Sequence, residues 1–180
     1  MRGRVFKCAF IYVVSVGLVA AVLTFAFAPA LVKEQPNAIL SLQILAPTIF
    51  LSGFLAIYRG YLQAYKTMIP TSISQIIEQI ANAVVSVLAA YLMSRPFVPG
   101  TSEHAKYGAA GSAMGTGAGV LCGIIYILIA YAGRRKEIME TVESDVSSNV
   151  ESYGKLFRQI VMIVTPIIIA AFVYNITTTV

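Results

Sequence analysis

The stretch AIYRGYLQAYKTMIPTSISQIIEQIANAV, residues 56 to 84, decides how this chain folds. It leads from one long apolar segment into the next through a short turn that ends at Pro70. Each segment carries a single charge inside it, Arg59 in the first and Glu78 in the second. Charged side chains are costly within apolar spans, so they mark places where helices meet each other or a ligand.

The composition around this stretch is that of a membrane protein. The chain is 58% hydrophobic and only 12% charged, whereas soluble domains carry about 25% charged residues. Each of its apolar runs is long enough to cross a hydrocarbon core, which needs about 20 helical residues. Only helices or closed barrels satisfy the backbone there. The sequence therefore predicts an all-α, polytopic membrane protein with about five transmembrane helices, at residues 8–32, 42–65, 72–94, 107–133 and from 159 onward.

The basic residues predict the orientation of these spans. Ten of the 13 Lys and Arg precede the first span or fall around the turns after the second and fourth spans. The other three are Lys33, Arg95 and Lys106, on the opposite side. Basic residues are enriched in cytoplasmic loops, so we expect a cytoplasmic N-terminus in a multi-pass protein of the cell membrane. The net charge of +5 then reflects topology, and membrane lipids rather than nucleic acid are the expected partners.

Residues 134–158 form a hydrophilic connection between the fourth and fifth spans. Its apolar residues recur every four positions, at Ile138, Val142, Val146 and Val150. This spacing predicts a helix with one apolar face. Two interpretations fit the pattern, an amphipathic helix on the cytoplasmic membrane surface or a solvated linker helix.

The third span carries a polar stripe at steps of three and four residues, which places its members on one helical face. Its members are Ser72, Gln75, Glu78, Gln79, Asn82 and Ser86. A stripe of this length is expected to face other helices or a water-filled cavity. The second span has a weaker stripe, formed by Thr48, Ser52, Arg59 and Gln63.

Arg59 and Glu78 are expected at the same depth, because each lies roughly 10 Å from the cytoplasmic end of its helix. In one interpretation they pair and hold two helices together. In the other, Arg59 binds an anionic substrate, since its planar fork suits phosphate, and Glu78 orients Arg59 or titrates. The candidate substrate-binding residues are Arg59, Gln63, Gln75, Glu78 and Asn82.

The fourth span contains four glycines at strict four-residue spacing, Gly111, Gly115, Gly119 and Gly123. Such a glycine seam allows another helix to approach closely. No catalytic constellation is evident: His104 stands in an outer loop without a ligand partner, and Cys8 and Cys122 have no metal or disulfide spacing. We therefore expect no enzyme, no cofactor and no metal site.

The run LAPTIFLSGFLAIYRGYLQAYKTMIPTSISQIIEQIANAVVSVLAAYLM, residues 45 to 93, resembles the multidrug/oligosaccharidyl-lipid/polysaccharide exporter superfamily. Within it, the chain is most similar to the polysaccharide-biosynthesis branch related to stage V sporulation protein B. The motifs that carry the resemblance are Ala46-Pro47, the Tyr58–Gln63 run, Pro70-Thr71, Ser74-Gln75, Glu78-Gln79 and the glycine seam.

The resemblance implies a fragment of a two-lobed, flippase-like helical bundle. Residues 1–133 would be helices three to six of the first lobe, residues 134–158 the cytoplasmic bridge, and residues 159–180 the start of the first helix of the second lobe. It implies export of lipid-linked oligosaccharide or polysaccharide precursors by alternating access, with Arg59 on the lipid pyrophosphate and the remainder of the transporter as a partner.

Two other functions remain open on the sequence. The first is a cation- or proton-coupled multidrug exporter of the same superfamily, with Glu78 as the coupling site. The second is a non-transporting membrane scaffold assembled through the glycine seam.

Overall fold

The computed structural model describes residues 2–33, 35–64, 68–144 and 153–179. They form five α-helices, as the apolar runs predict: α1 (Arg2–Leu31), α2 (Ile39–Ala64), α3 (Ile69–Ser94), α4 (Ser102–Ser144) and α5 (Tyr153–Thr179). A short 3-10 helix, Pro36–Ala38, precedes α2. The all-α fold class is confirmed.

Four of these helices are long and apolar enough to cross a membrane. The candidate spans are Val5–Leu31, Pro36–Ala64, Ile69–Ser94 and Ser102–Arg134. In α5 the described residues include the apolar stretch Phe157–Ala170. The described part of the chain therefore has the helices of a multi-pass membrane protein, with four full-length candidate spans.

The hydrophilic connection begins inside a helix rather than after one. The helix α4 continues without a break through the charged residues that follow Arg134, as far as Ser144. Residues 145–152, with Val146 and Val150 of the predicted amphipathic face, lie outside the described residues. The surface helix therefore stays a prediction, as does the division of the chain into lobe, bridge and second lobe.

The helices pack in an order that differs from their order in the sequence. The main contacts of α3 are with α4, while α2 packs against both α1 and α4, and α5 contacts α1. The consecutive helices α2 and α3 make far fewer contacts with each other than either makes with α4. The helix α3 therefore packs mainly on α4 rather than on the helix that precedes it, because the glycine seam lets the backbones of α3 and α4 approach closely.

The glycine seam packs against the backbone of α3, as its spacing predicts. A Cβ atom added at Gly111 would lie 2.5 Å from the carbonyl carbon of Ala89, and one at Gly119 would lie 2.7 Å from the carbonyl oxygen of Glu78. At Gly115 an added Cβ would overlap Ser86. Side chains of any size at these three positions would hold the two helices apart.

Aromatic and branched side chains pack α2 against α1 and α4. Leu55 and Leu62 of α2 form a buried core with Val120, Ile124 and Ile127 of α4. Beside this core lies an aromatic cluster, defined by Phe6, Phe10, Phe54, Tyr58, Tyr61 and Tyr131, with ring centroids 4.4–6.2 Å apart. The cluster connects α1, α2 and α4 around the segment that carries Arg59.

The connection between α3 and α4 is more ordered than a solvated loop. Thr101 caps α4, because its hydroxyl accepts a hydrogen bond from the backbone N–H of His104 at 3.3 Å. The ring nitrogen Nδ1 of His104 lies 3.1 Å from the carbonyl oxygen of Ser94, at the end of α3. His104 thus joins the two helix ends, and our expectation that it stands in an outer loop is wrong, because it lies in the first turn of α4.

Candidate functional site

Arg59 and Glu78 form an ion pair between α2 and α3. Arg59 Nη2 donates a hydrogen bond to Glu78 Oε2 at 2.6 Å. Their side chains are 15% and 20% exposed, respectively. Arg59 lies about one and a half turns from the end of α2, and Glu78 about two and a half turns into α3. Measured from the helix ends, the two depths differ by about one turn, and the two side chains are nevertheless in contact, as the interpretation that they pair requires.

Ser74 binds the same guanidinium from one turn earlier on α3. Its hydroxyl oxygen accepts hydrogen bonds from Arg59 Nη2 at 2.8 Å and from Arg59 Nε at 3.3 Å. It also donates a hydrogen bond to the carbonyl oxygen of Gly123 at 3.3 Å. Ser74 is fully buried, and a hydroxyl has one donor and two acceptor positions. All three are therefore occupied, so Ser74 holds Arg59 in one place.

Gly123 makes α4 the third wall of the site. A Cβ atom at this position would lie 3.1 Å from Leu55 Cδ2, 3.4 Å from Arg59 Nη2 and 3.6 Å from Glu78 Cβ. The other three glycines of the seam face α3, mainly its backbone, whereas Gly123 faces these side chains. Its missing side chain leaves the space in which the guanidinium and the carboxylate meet.

The polar stripe of α3 divides between two environments. Glu78, Asn82 and Ser86 are half-buried against α4, whereas Ser72, Gln75 and Gln79 are exposed. Ser86 Oγ lies 2.8 Å from Asn82 Oδ1 and 3.0 Å from the carbonyl oxygen of Ser112. The described helices therefore leave one edge of the stripe uncovered, and the other edge packs against α4.

The structure brings together only part of the predicted site. Arg59 and Glu78 are in contact, and Asn82 lies one turn further along α3 beside Ser86. Gln63 and Gln75 are exposed on α2 and α3. The substrate-binding role of these five residues stays a prediction. Sequence reasoning missed Ser74 as a partner of Arg59, although its place one helical turn before Glu78 was a usable signal.

The chemistry of the site is that of ionic and hydrogen-bond recognition. Among the described residues there is no group of three or more His, Cys, Asp or Glu side chains that could hold a metal ion. The polar groups that meet are a guanidinium, a carboxylate, a hydroxyl and a backbone carbonyl. Such a set binds and orients charged groups inside a span.

A family model described as polysaccharide biosynthesis protein matches residues 3–96. The match covers about half of the chain, including α1, α2, α3 and the Arg59–Ser74–Glu78 contacts. The chain belongs to the polysaccharide biosynthesis protein family. No curated protein and no solved structure matches it significantly. The resemblance expected from the Leu45–Met93 run is thereby confirmed at the level of this family.

The family match covers most of the Arg59 site. The matched residues include both charged partners and the Ser74 hydroxyl, whereas the Gly123 wall lies beyond the match. The chain is thus a member of a polysaccharide biosynthesis family whose described residues include four candidate membrane spans.

Proposed function

We propose that this chain is part of a membrane transporter that moves lipid-linked oligosaccharide or polysaccharide precursors across the cell membrane by alternating access. The observation that carries the proposal is the Arg59–Glu78 pair, held inside candidate spans of a polysaccharide biosynthesis family member. The proposal includes a cytoplasmic N-terminus and no enzymatic activity. It also includes a second lobe that completes the cavity.

The substrate class follows from the chemistry of Arg59. Lipid carriers of saccharides have a phosphate or pyrophosphate at the membrane interface, and an arginine binds phosphate oxygens in a planar, bidentate manner without losing its proton. Arg59 lies inside a span, where an ionisable side chain is a candidate for a substrate pathway. The exposed Gln63 and Gln75 then offer amides to the saccharide, and Asn82 continues the polar path along α3.

The test is transport by the full-length protein that contains this chain, reconstituted in liposomes with a fluorescent lipid-linked oligosaccharide. We expect Arg59→Ala to reduce the translocation rate at least about tenfold, because one charge-assisted hydrogen bond is worth that much in binding. Arg95→Ala, which removes an exposed cation beyond the end of α3, is the matched control and should leave the rate unchanged. Equal rates for the Arg59→Ala variant and the wild type would exclude the proposed site.

A cation- or proton-coupled multidrug exporter is the second candidate, and the half-buried Glu78 carboxylate within α3 favours it. It predicts that Glu78→Gln abolishes drug efflux driven by an ion gradient, while Arg59→Ala leaves translocation of lipid-linked saccharide intact. A scaffold assembled through the glycine seam has less support. The seam residues Gly111, Gly115 and Gly119 are already covered by α3 of the same chain.

A further inference from the structure

Among the described residues, the hydrogen bonds of Arg59 leave the Nη1 side of its guanidinium for a ligand. A guanidinium carries five N–H groups in a rigid plane, one on Nε and two on each Nη. An oxyanion binds in bidentate fashion to one of two edges, either the Nε–Nη2 edge or the edge formed by the two Nη nitrogens. Ser74 Oγ accepts from both Nε and Nη2, at 3.3 and 2.8 Å. The first edge is therefore occupied by Ser74.

Glu78 occupies half of the second edge. Nη2 has two hydrogens, and one of them is directed to Ser74. The other is the hydrogen that faces the Nη1 side, and it is the one left for Glu78 Oε2 at 2.6 Å. A phosphate needs this hydrogen together with one on Nη1 to bind in bidentate fashion. The Glu78 carboxylate therefore stands where one phosphate oxygen would lie.

We propose that Glu78 is a built-in competitor of the anionic ligand, and that Ser74 is the positioning residue that makes the competition unavoidable. This inference rests on the proposed function, and it differs from both roles that the sequence suggested for Glu78, which were to orient Arg59 for the substrate or to titrate. Pyrophosphate binds only when the Glu78 carboxylate leaves Nη2, and the carboxylate returns when the ligand departs. The Arg59–Glu78 ion pair thus lowers the affinity of the site for substrate, and it neutralises the guanidinium when no ligand is bound.

Ser74 prevents the alternative in which the guanidinium rotates to present its other edge. The hydroxyl is fully buried and donates to the Gly123 carbonyl oxygen at 3.3 Å, so α4 fixes its orientation. The backbone of α4 also lies close to Nη2, since a Cβ atom added at Gly123 would lie 3.4 Å from this nitrogen. With Ser74 in place, the ligand and Glu78 must compete for one hydrogen of Nη2.

The test measures ligand affinity in the full-length protein in detergent, by isothermal titration with geranylgeranyl pyrophosphate. Geranylgeraniol, which has the same chain without the anion, is the ligand control. We expect Glu78→Gln to tighten pyrophosphate binding about ten- to a hundredfold, the factor that corresponds to one hydrogen bond between charged groups. Glu103→Gln makes the same change of net charge at an exposed position in the first turn of α4, and it should leave the affinity unchanged.

A second pair of variants tests the role of Ser74. In a Ser74→Ala background, Glu78→Gln should give little further gain, because the freed Nε–Nη2 edge already lets pyrophosphate bind without displacing the Glu78 carboxylate. Ser86→Ala is the matched control, since Ser86 is also a serine of α3 that bonds to a carbonyl oxygen of α4, and it should keep the gain. If Glu78→Gln fails to fold, Glu78→Asp withdraws the carboxylate from Nη2 by one methylene and should give a smaller gain.

The outcomes separate this inference from the proposed function. If Arg59→Ala loses pyrophosphate binding and Glu78→Gln strengthens it, the competition is supported. If Arg59→Ala loses binding but Glu78→Gln weakens it or leaves it unchanged, Glu78 is no competitor, and the proposed function stands without this inference. If the wild type binds no better than Arg59→Ala, both are wrong. Inorganic pyrophosphate should show the same ratio, and a gain confined to the prenylated ligand would overturn the competition.

Discussion

Replacing Gly115 by alanine is expected to force α3 away from α4. An added Cβ atom would lie 2.6 Å from Ser86 Cα and would also overlap the Ser86 hydroxyl and backbone nitrogen. Carbon atoms prefer separations of about 3.5–4.0 Å. The helices must therefore separate by about 1 Å at this point. A rotamer change cannot relieve the overlap, since backbone atoms are involved.

The magnitude follows from two opposing effects. Overpacking of this kind typically costs about 1–3 kcal/mol, whereas alanine is favoured over glycine within a helix by about 1 kcal/mol. Gly133 provides the matched control on the same helix, because an added Cβ there meets nothing within 4 Å. Gly133→Ala should therefore keep only the favourable effect. The two variants should differ by about 1–3 kcal/mol in the free energy of unfolding.

The chain contains its own probes for the assay. Its two cysteines, Cys8 and Cys122, are free, and Cys8 is buried. A thiol-reactive dye that becomes fluorescent on reaction reports their exposure as the detergent-solubilised protein is heated. We expect the midpoint for Gly115→Ala to lie about 2–12 °C below that for Gly133→Ala, using the usual relation between stability and melting temperature. Equal midpoints would refute the close contact at the seam, and with it the packing of α3 on α4.

Two further predictions concern buried polar groups. Thr71 is 3% exposed, and its hydroxyl has no hydrogen-bond partner in the described part of the chain. Thr71→Val should therefore raise the free energy of unfolding by about 1 kcal/mol and raise the melting midpoint with it. A lower midpoint would mean that the hydroxyl has a partner. Arg59→Met alone should cost about 3–5 kcal/mol, because it leaves the Glu78 carboxylate buried without its partner, whereas Arg59→Met combined with Glu78→Leu should regain this loss in the same thermal assay. A double variant as unstable as the single one would show that the pair itself holds the helices together.

Much of the fold was open to prediction because its causes are local. A run of about 20 apolar residues must form a helix in lipid, and four glycines at intervals of four must lie on one helical face. The depth of Arg59 and Glu78 follows from the helical rise, so their contact was within reach of sequence reasoning. These features depend on spacing along one or two segments.

The features that escaped prediction depend on which helices pack together. Nothing in the spacing of residues shows that α3 packs chiefly on α4, so Gly123 was not recognised as a wall of the Arg59 site. The aromatic cluster joins Phe6, Tyr58 and Tyr131 from three helices, and ring contacts of this kind have no sequence period. For the same reason, the polar stripe of α3 was expected to behave as one surface, although α4 covers only part of it.

The ion pair is poorly explained by stability alone. Replacing a buried ion pair by apolar residues of similar volume is often neutral or stabilising. The helices of this chain are already joined by the glycine seam, the core around Leu55 and the aromatic cluster. A charged pair placed inside candidate spans adds cost where packing is already sufficient. Its chemistry, a guanidinium with one edge held by Ser74 and the other shared with Glu78, is suited to exchanging one anionic partner for another. The proposed competition therefore accounts for the Arg59–Glu78 pair better than a contribution to stability does.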